Sequence, residues 1–558
     1  MRRAIENCIM AYGRILLKLK DFEGIYAHAD KKYSHFLGSW FFRLVLSCVC
    51  LFLLGVVVLP AMAKERPAGT AEQKTSRFME SLRDQPGMLY AFLRQMPKGG
   101  DLHSHLSGAV YAESMVRWAA DDGVCIDQKS FQASAPPCDE LAGRPEAKQA
   151  LTDDLLYRRT IDAWSMRNWQ NSGQSGHDHF FDTFNKFNIA TDKRQGDMLA
   201  EVAARAAAGR VSYLELMITP EGRALAGLAT QTGWDDDFEL MRLHFQTQGL
   251  REILQAITKK LDLSEIVMKE ELKCGQEQAN PGCGVTVRYL YQVLRGQPRE
   301  IVFAQMLAGF ELADTDPRFV GLNLVMPEDN YVPMSDYYLH MRMLDYLHTV
   351  YPQVKLALHG GELAPGLVPP EGLRFHVRDA VRLARAKRIG HGVDIMYEDD
   401  SFSLLREMAG SEVLVEILLT SNDVILGVKG KEHPLNTYIR YGVPVALATD
   451  DEGVSRSEMT QEFKRAVMDQ GLGYLQLKNM TRNSLEYSFI EGDSLWKDRK
   501  YAQTVMACAK DKPTAKLISD PCTKFLAENS KARIQWKLEK DLADFETRAA
   551  TWDTNHLP

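Results

Sequence analysis

The sequence lacks the features of a nucleic-acid-binding protein and those of a repeat protein. Its formal net charge is −7, and no basic stripe with interleaved aromatic residues occurs along the chain. A protein that binds a phosphate backbone needs clustered lysines and arginines. The chain also has no internal repeat and no long low-complexity segment. With 558 residues, 45% of them hydrophobic, it is expected to fold as a soluble globular protein with a large core.

Long apolar runs are scarce, with one exception near the N-terminus. Residues 44–63 carry no charge, and residues 44–59 are almost continuously apolar after a mainly basic flank. Ala61-Met62-Ala63 matches the cleavage pattern of signal peptidase. Segment 1–63 therefore predicts a cleaved signal peptide, with an uncleaved membrane anchor through residues 44–59 as the alternative. In both cases the basic flank predicts an exported protein, periplasmic or extracellular.

Cysteine is sparse beyond this segment, and the six remaining residues do not have the spacing of a metal finger. They fall into three close pairs in loop-like sequence: Cys125 and Cys138, Cys274 and Cys283, and Cys508 and Cys522. Six cysteines allow fifteen connectivities, of which local pairing is the simplest. Six free thiols remain the alternative, although disulfides persist in the oxidising compartments to which an exported protein is sent.

Histidines and aspartates follow several short apolar runs that are typical of β-strands. They are His103 and His105 in a His-Ser-His motif, His359, His391 and the pair Asp450-Asp451. In a strand, residues i and i+2 face the same side, so His103 and His105 can reach one metal ion. Zinc accepts imidazole nitrogen and carboxylate oxygen, and a catalytic site keeps one position for water. We predict one Zn²⁺ per chain, held by His103, His105, His359 and Asp450.

Two further carboxylates are placed to act beside this metal. Glu362 lies three residues after His359, beyond a Gly-Gly pair, so it can face the same cavity as a general acid or base. Asp451 points away from Asp450 and is free to contact a substrate. By contrast, His177 and His179 continue into aromatic residues at helical spacing. On a helix, residues i and i+2 do not share a face, so we predict that these two histidines do not bind the metal.

Five segments together resemble the motifs of the adenosine deaminase family. They are P-K-G-G-D-L-H-S-H-L-S-G at 97–108, H-G-G-E at 359–362, R-I-G-H-G at 388–392, T-S-N at 420–422 and T-D-D at 449–451. They match in order and in approximate spacing over roughly residues 80–500. The stretches at 92–99 and 483–488 are similar to the secreted branch, the adenosine deaminase growth factors.

The resemblance implies an α/β fold, a (β/α)₈ TIM barrel with its chemistry at the carboxyl ends of the strands. Alternating strands and helices indicate a parallel sheet independently. The candidate strands lie near 100–105, 211–217, 284–289, 319–325, 354–359, 388–391, 412–417 and 444–449, with helical stretches such as 198–208 and 379–386 between them.

We expect residues 64–558 to form this barrel, with an insertion after the first strand at 110–175 and a helical extension at 496–558. In the secreted branch an insertion at this point carries a disulfide and helps to cover the substrate site. The extension is expected either to cap the barrel or to form an interface, as in a homodimer.

The resemblance also implies hydrolytic deamination of a 6-aminopurine. Zinc would make hydroxide available near neutral pH for attack on C6 of the ring. Glu362 would protonate N1, His391 would orient the hydroxide, and Asp450 would take the proton of the water. Asp451 would bond to N7 of the purine. The H-x-E and P-C-x-x-C signature of other zinc deaminases of nucleobases is absent, which disfavours cytidine deaminase chemistry.

Three positions depart from the family and concern substrate recognition. Ser107 stands where the family usually has an acidic residue that helps to bind the ribose. Met326 stands where the family has a glycine whose N–H meets the purine, whereas Glu328 matches. Glu452 replaces a proline that often follows the aspartate pair. We predict that the residues contacting a small purine nucleoside are Asp451, Ser107, Met326 and Glu328. The departures concern the choice of adenosine as the substrate and leave the predicted reaction, deamination of an aminopurine, unchanged.

The sequence is also compatible with two alternatives. The first is a deaminase of another 6-aminopurine, such as adenine or a modified nucleoside. The second is an exported purine-binding or signalling protein that keeps the fold without turnover. Such a protein should have lost Glu362 or a metal ligand, and the sequence retains all of them.

Overall fold

The computed structural model describes residues 69–221 and 223–553. The predicted signal peptide or anchor, residues 1–63, lies outside the described residues. Among the residues that are described, no helix combines the length and the apolar character that a membrane span requires.

Eight parallel strands form the centre of the fold. They are β1 (Gly99–His105), β4 (Val211–Ile218), β5 (Thr286–Leu294), β6 (Phe319–Val325), β7 (Ala357–Gly360), β8 (Arg388–His391), β9 (Leu414–Ile417) and β10 (Val445–Leu447). A short antiparallel hairpin consists of β2 (Cys125–Ile126) and β3 (Ala133–Ser134).

The eight strands close into a barrel. Two four-stranded sheets have the orders β1-β4-β5-β6 and β10-β9-β8-β7. Parallel bridges join them on both sides, one between Ser104 and Asp450 and one between Leu322 and Leu356. The closed parallel sheet with surrounding helices is the predicted (β/α)₈ barrel, and the prediction of the fold is confirmed.

Helices surround the barrel and fill its connections. They are α1 (Ala71–Ser81), α2 (Pro86–Gln95), α3 (Leu106–Ala109), α4 (Ala112–Asp121), α5 (Asp154–Ala163), α6 (Gly176–Thr191), α7 (Gln195–Ala208), α8 (Ala224–Thr232), α9 (Phe238–Thr247), α10 (Leu250–Glu271), α11 (Arg299–Thr315), α12 (Tyr331–Ser335), α13 (Tyr337–Val350), α14 (His376–Arg382), α15 (Ser401–Gly410), α16 (Leu419–Leu426), α17 (Leu435–Tyr441), α18 (Met459–Met468), α19 (Tyr474–Glu486), α20 (Asp520–Glu528) and α21 (Ser530–Ala549).

Seven of the eight barrel strands are almost wholly buried, as expected for parallel strands covered by helices, and β5 is partly exposed. Charged side chains nevertheless lie inside the barrel. Arg388 donates to Glu215 at 2.5 Å and to Glu416 at 2.6 Å, and all three side chains are fully buried. Buried charges of this kind are tolerated when they are paired, and this group lies beneath the histidine cluster at the strand ends.

Two strands and one helix illustrate how the observed bounds differ from the predicted ones. The strand expected at 284–289 runs from Thr286 to Leu294, because Gly284 belongs to a 3₁₀ turn, Pro281–Gly284, next to a disulfide. The strand expected at 354–359 begins only at Ala357. The helix expected at 379–386 is α14, which begins at His376 and ends at Arg382; Arg385 beyond it has a left-handed φ of 60°.

The six cysteines of the described residues form three local disulfides, Cys125–Cys138, Cys274–Cys283 and Cys508–Cys522. The first staples the loops around the β2–β3 hairpin, after the first barrel strand. The third precedes α21, which lies against α1 and α19. There Glu546 accepts hydrogen bonds from Lys478 and Tyr474, so the extension is held by buried polar contacts as well as apolar ones.

Candidate metal centre

Imidazole and carboxylate groups converge at the carboxyl end of the barrel. His103 and His105 end β1, His359 lies in β7, His391 ends β8, and Asp450 follows β10. The backbone N–H of Asp450 donates to the carbonyl of His103, and the N–H of His105 donates to that of Asp450. These two bonds at the closure of the barrel set the aspartate beside the His-Ser-His motif.

The donor atoms are close enough to share one metal ion. Nε2 of His103 lies 3.1 Å from Nε2 of His359. Oδ1 of Asp450 lies 3.4 Å from Nε2 of His103 and 3.1 Å from Nε2 of His105. One group of potential ligands, with atoms within 4.8 Å of one another, comprises His103, His359, His391 and Asp450, and a second comprises His105, Asp450 and Asp451.

The outer nitrogens of three histidines face hydrogen-bond acceptors. Nδ1 of His103 is 2.6 Å from Oε2 of Glu416. Nδ1 of His105 is 2.9 Å from the amide oxygen of Gln292, and Nδ1 of His359 is 2.8 Å from that of Asn323. Each Nδ1 therefore carries the proton, and each Nε2 directs its lone pair inward. This arrangement is the one that orients histidine ligands in metal sites.

The donor set fits a divalent cation. Oδ1 of Asp450 is buried without a hydrogen-bond donor, although three Nε2 lone pairs and its own negative charge converge on the same space. Such crowding of acceptors is costly unless a cation neutralises it. Three imidazoles and one carboxylate are ligands that zinc prefers. The cluster can therefore hold one metal ion. His103, His359 and Asp450 share one group of potential ligands with His391, whereas His105 belongs to a second group through Asp450, so the predicted ligand set stays a prediction.

Glu362 lies at the edge of the cluster. Its carboxyl is buried, and its Oε1 is 3.6 Å from Nδ1 of His391. Burial, together with the nearby carboxylates Asp450 and Glu328, raises the pKa of Glu362 to about 8. The carboxyl therefore holds its proton near neutral pH, which a general acid must do.

Glu328 positions the chain that carries Glu362. Its Oε2 accepts the N–H of Glu362 at 2.7 Å, and its Oε1 accepts the N–H of Gly361 at 3.3 Å. His376 lies 2.5 Å from the same Oε1. Burial opposes ionisation, but His376 and Arg295 outweigh it and lower the pKa of Glu328 to about 2. Protein groups thus engage both oxygens, and the expected substrate contact of Glu328 stays a prediction.

The other predicted substrate residues surround the mouth of the site. Asp451 is buried beside Gly108, and its Oδ1 has no hydrogen-bond partner. Burial, opposed by His105 and reinforced by Asp450, raises the pKa of Asp451 to about 8. Ser107 is half-buried in the helical turn α3 that follows β1. Met326 packs against Gly296, and its carbonyl accepts from Nε of Arg295.

Three residues of the site have a left-handed backbone conformation, which residues other than glycine rarely adopt. The φ angles are 86° at Met326, 68° at His391 and 60° at Asp450. Each residue follows or ends a barrel strand, where the chain turns sharply toward the site. Strained backbone of this kind costs of order 1–3 kcal/mol per residue and gathers at functional sites.

His177 and His179 lie on helix α6, apart from the metal cluster. Nε2 of His177 is 2.9 Å from Oδ1 of Asp329, and its Nδ1 is 3.0 Å from Oδ1 of Asp178. His179 bonds to Gln174 and to backbone carbonyls. The contact between His177 and Asp329 links the segment after β1 to the loop after β6, and no pattern in the sequence indicates it.

Several residues that support the site were also missed. Glu416, Gln292 and Asn323 lie in barrel strands, where their polar side chains interrupt apolar runs. That interruption was the available signal. Asn422 belongs to the T-S-N motif at 420–422, which by itself predicts no contact with His391. His433 stands alone in the sequence, and nothing in its neighbourhood indicates its contact with Asn422 at 3.0 Å.

Comparisons with known proteins agree with this site. A model described as adenosine deaminase matches residues 162–499, which include His359, Glu362, His391 and Asp450. An adenosine deaminase of Clostridium perfringens is 23% identical over 393 residues, 70% of this chain and 93% of the relative. An adenine deaminase of Sinorhizobium medicae is 28% identical over 223 residues, 40% of this chain and 63% of the relative.

Among solved structures, the N6-methyl-AMP deaminase of Arabidopsis thaliana is 19% identical, with a TM-score of 0.46 over 72% of this chain and 94% of that one. The family model covers more than half of the chain, including most of the histidine and carboxylate cluster. The chain therefore belongs to the adenosine deaminase family and is a hydrolase that cleaves the C–N bond of a cyclic amidine.

Proposed function

We propose that this enzyme converts adenosine and 2′-deoxyadenosine to inosine and 2′-deoxyinosine, with release of ammonia and with one zinc ion per chain. The observation that carries the proposal is the buried Glu362 carboxyl beside three inward-facing imidazoles and Asp450. Replacement of an aromatic amino group by water needs a proton donor to the ring and an activated nucleophile, and these residues supply both roles.

His103, His105, His359 and Asp450 would hold the zinc ion. When bound, the ion lowers the pKa of a water molecule and so favours attack near neutral pH. The ion would supply this chemistry only while one of its coordination positions is open to water. The outer partners Glu416, Gln292 and Asn323 keep three of the ligands in the required tautomer.

Glu362 would give its proton to N1 of the purine as water adds to C6. Protonation removes electron density from the ring and makes C6 a better electrophile. A raised pKa suits this role, because the group is protonated at the start and close enough to neutral to give the proton up. Asp450 would take one proton of the water and pass it to the amino group. The C6–N bond then breaks with release of ammonia, and the remaining hydroxyl proton restores the carboxyl of Glu362 as the C6 carbonyl forms.

Asp451 would contact N7 of the purine through its buried, unpaired Oδ1. Recognition of the sugar is less constrained. Ser107 offers a hydroxyl where a carboxylate usually receives the ribose, so it can both donate and accept but exerts a weaker attraction. An adenine deaminase among the relatives favours free adenine as the second candidate substrate.

We also propose that the enzyme is exported. Either a signal peptide, residues 1–63, is cleaved off, or residues 44–59 stay in place as a membrane anchor. Three disulfides among the described residues support an oxidising compartment. Mass spectrometry of the mature protein separates the two forms. Cleavage predicts an N-terminus directly after Ala63, and an intact segment 44–59 in the purified protein predicts the anchor.

The substrate test follows the purine ultraviolet spectrum of the purified, zinc-loaded enzyme with adenosine, 2′-deoxyadenosine and adenine. We expect the highest kcat/KM with the nucleosides. A preference for adenine would reassign the substrate, and no turnover of any aminopurine by a zinc-loaded, folded protein would reject the proposal.

Glu362→Gln tests the proton donor. The amide keeps the shape of the side chain but has no proton of suitable acidity, so kcat should fall by about 100-fold or more. Glu546→Gln removes another buried glutamate, in α21, and is the matched control that should keep the wild-type kcat. Full activity of Glu362→Gln would contradict the mechanism.

A further inference from the structure

A series of hydrogen-bonded side chains connects a backbone amide to the metal centre. It runs from the N–H of Leu435, in α17, through His433 and Asn422 to His391. The three side chains are almost fully buried, at 3%, 0% and 0% exposure. Asn422 lies in α16 and His391 at the end of β8, so this series of hydrogen bonds connects helices outside the barrel to its interior.

The direction of the first bond is fixed. A backbone N–H can only donate, and that of Leu435 lies 3.2 Å from Nδ1 of His433. Nδ1 is therefore unprotonated, and a neutral ring carries its proton on Nε2. Burial, with a smaller effect of Arg465, lowers the pKa of His433 to about 3, so the ring is neutral.

That proton fixes the orientation of the next residue. Nε2 of His433 lies 3.0 Å from Oδ1 of Asn422, and a carboxamide oxygen can only accept. The amide nitrogen of Asn422 must then face the other way. It lies 2.9 Å from Nδ1 of His391 and can only donate to it.

The consequence reaches the metal centre. Nδ1 of His391 accepts from Asn422, so the neutral His391 ring carries its proton on Nε2. The competing acceptor, Oε1 of Glu362, lies 3.6 Å from Nδ1, beyond hydrogen-bond distance. Nε2 of His391 is buried without a partner and lies 4.0 Å from Oδ2 of Asp450. This tautomer is opposite to that of His103, His105 and His359, whose Nδ1 atoms all face acceptors.

We propose that Asn422 and His433 are positioning residues that hold His391 in the Nε2–H tautomer. His391 then presents a hydrogen-bond donor to the attacking water, whereas the other three histidines present lone pairs to the metal. The part of this inference that concerns the water rests on the proposed function. The tautomer itself does not, because the protein's own hydrogen bonds determine it.

The decisive variant is Asn422→Asp in the full-length, zinc-loaded enzyme. Aspartate has nearly the same shape and still accepts from His433, but its second oxygen cannot donate to Nδ1 of His391. The carboxylate of Asn422→Asp should accept a hydrogen bond from Nδ1 of His391, so that the ring carries its proton on Nδ1 and Nε2 is unprotonated. A wrong tautomer in an otherwise intact site has a large catalytic cost, so kcat should fall by about 100-fold or more with little change in KM.

Nitrogen-15 NMR of histidine-labelled protein reads the tautomer directly, since protonated and unprotonated ring nitrogens have well-separated shifts. The His391 signals are those that disappear in His391→Gln. We expect a protonated Nε2 in the wild type and a protonated Nδ1 in Asn422→Asp. A protonated Nδ1 in the wild type, or an unchanged tautomer in Asn422→Asp, would overturn the proposal.

His433 is tested by a matched pair of variants. His433→Gln can still donate to Oδ1 of Asn422 and should keep the wild-type tautomer and kcat. His433→Leu cannot donate, releases the amide of Asn422 and should lose both. Equal behaviour of two folded variants would show that His433 has no positioning role. If the wild-type enzyme turned over no aminopurine, the proposed function would fail while the NMR result still decided the tautomer.

Discussion

At the scale of single residues, the site depends on backbone conformations that ordinary residues avoid. His391 and Asp450 turn the chain inward at the ends of strands, with φ angles of 68° and 60°. A side chain at such a position costs about 1 kcal/mol or more, so it persists only where the surroundings enforce it. Here the enforcing contacts are the two hydrogen bonds between Asp450 and the end of β1 and the bond from Asn422 to His391.

Met326 allows this strain to be measured. Its φ of 86° suits glycine, whereas alanine pays the same steric cost as methionine. Met326→Gly and Met326→Ala both remove the side chain that packs on Gly296, so their difference isolates the backbone term. We expect Met326→Gly to be more stable than Met326→Ala by about 1 kcal/mol in urea unfolding, even though glycine raises the entropy of the unfolded chain. A less stable Met326→Gly would show that the backbone at this position is relaxed.

The chemistry-bearing residues could largely be predicted at this scale, because zinc needs particular side chains and strand periodicity fixes their facing. His103 and His105 followed from the two-residue repeat of a strand, and Glu362 from its spacing after His359. The residues that orient the chemical groups of the site could not be predicted from spacing and periodicity. Asn422 and His433 act through contacts between helices that are close only in the folded barrel, and a lone histidine in the sequence gives no sign of its partner.

At the scale of elements, the sequence predicts the existence of each strand more accurately than its first and last residues. Buried aliphatic residues mark β4 and β6 clearly, because both faces of a parallel strand are covered. The start of β5 was misplaced, since the disulfide between Cys274 and Cys283 holds the preceding residues in a 3₁₀ turn. The start of β7 was misplaced as well, because Leu356 before Ala357 makes only an isolated bridge to Leu322 and Val354 is buried without a bridge.

Helix α6 makes an element-scale contact whose strength should depend on pH. Burial alone lowers the pKa of His177, but its hydrogen bonds to Asp329 and Asp178 outweigh burial and raise the pKa to about 9. In the unfolded chain the value is about 6.5. A pKa that folding raises adds stability that is complete below the unfolded value and is lost as pH rises through the folded value.

We therefore expect the link between α6 and the loop after β6 to weaken between about pH 6.5 and pH 9. Thermal unfolding of the wild type should lose stability over this range relative to His177→Gln, whose side chain does not titrate. His179→Gln, two residues further along α6, is the control and should keep the wild-type dependence. Parallel profiles for the wild type and His177→Gln would show that His177 does not hold this charge.

At the scale of the whole molecule, the metal centre joins parts of the barrel that the sheet itself joins only weakly. Of the predicted ligands, His103 and His105 belong to the sheet β1-β4-β5-β6, and His359 and Asp450 to the strands and strand ends of β10-β9-β8-β7. Between these sheets the structure describes isolated bridges rather than continuous ladders. A shared ion should therefore hold the two halves of the barrel together at its carboxyl end.

Zinc removal should accordingly lower the melting temperature as well as abolish turnover. An ion at a free concentration of 100 times its Kd stabilises a folded protein by about 2.7 kcal/mol, provided that the unfolded chain does not bind it. The matched variants separate the two roles. His359→Ala, which removes a proposed ligand, should lose the zinc-dependent shift, whereas Glu362→Gln should lose turnover but keep the shift, because Glu362 lies outside the ligand set. Loss of the shift in Glu362→Gln would place its carboxyl on the metal and would require another proton donor to the purine.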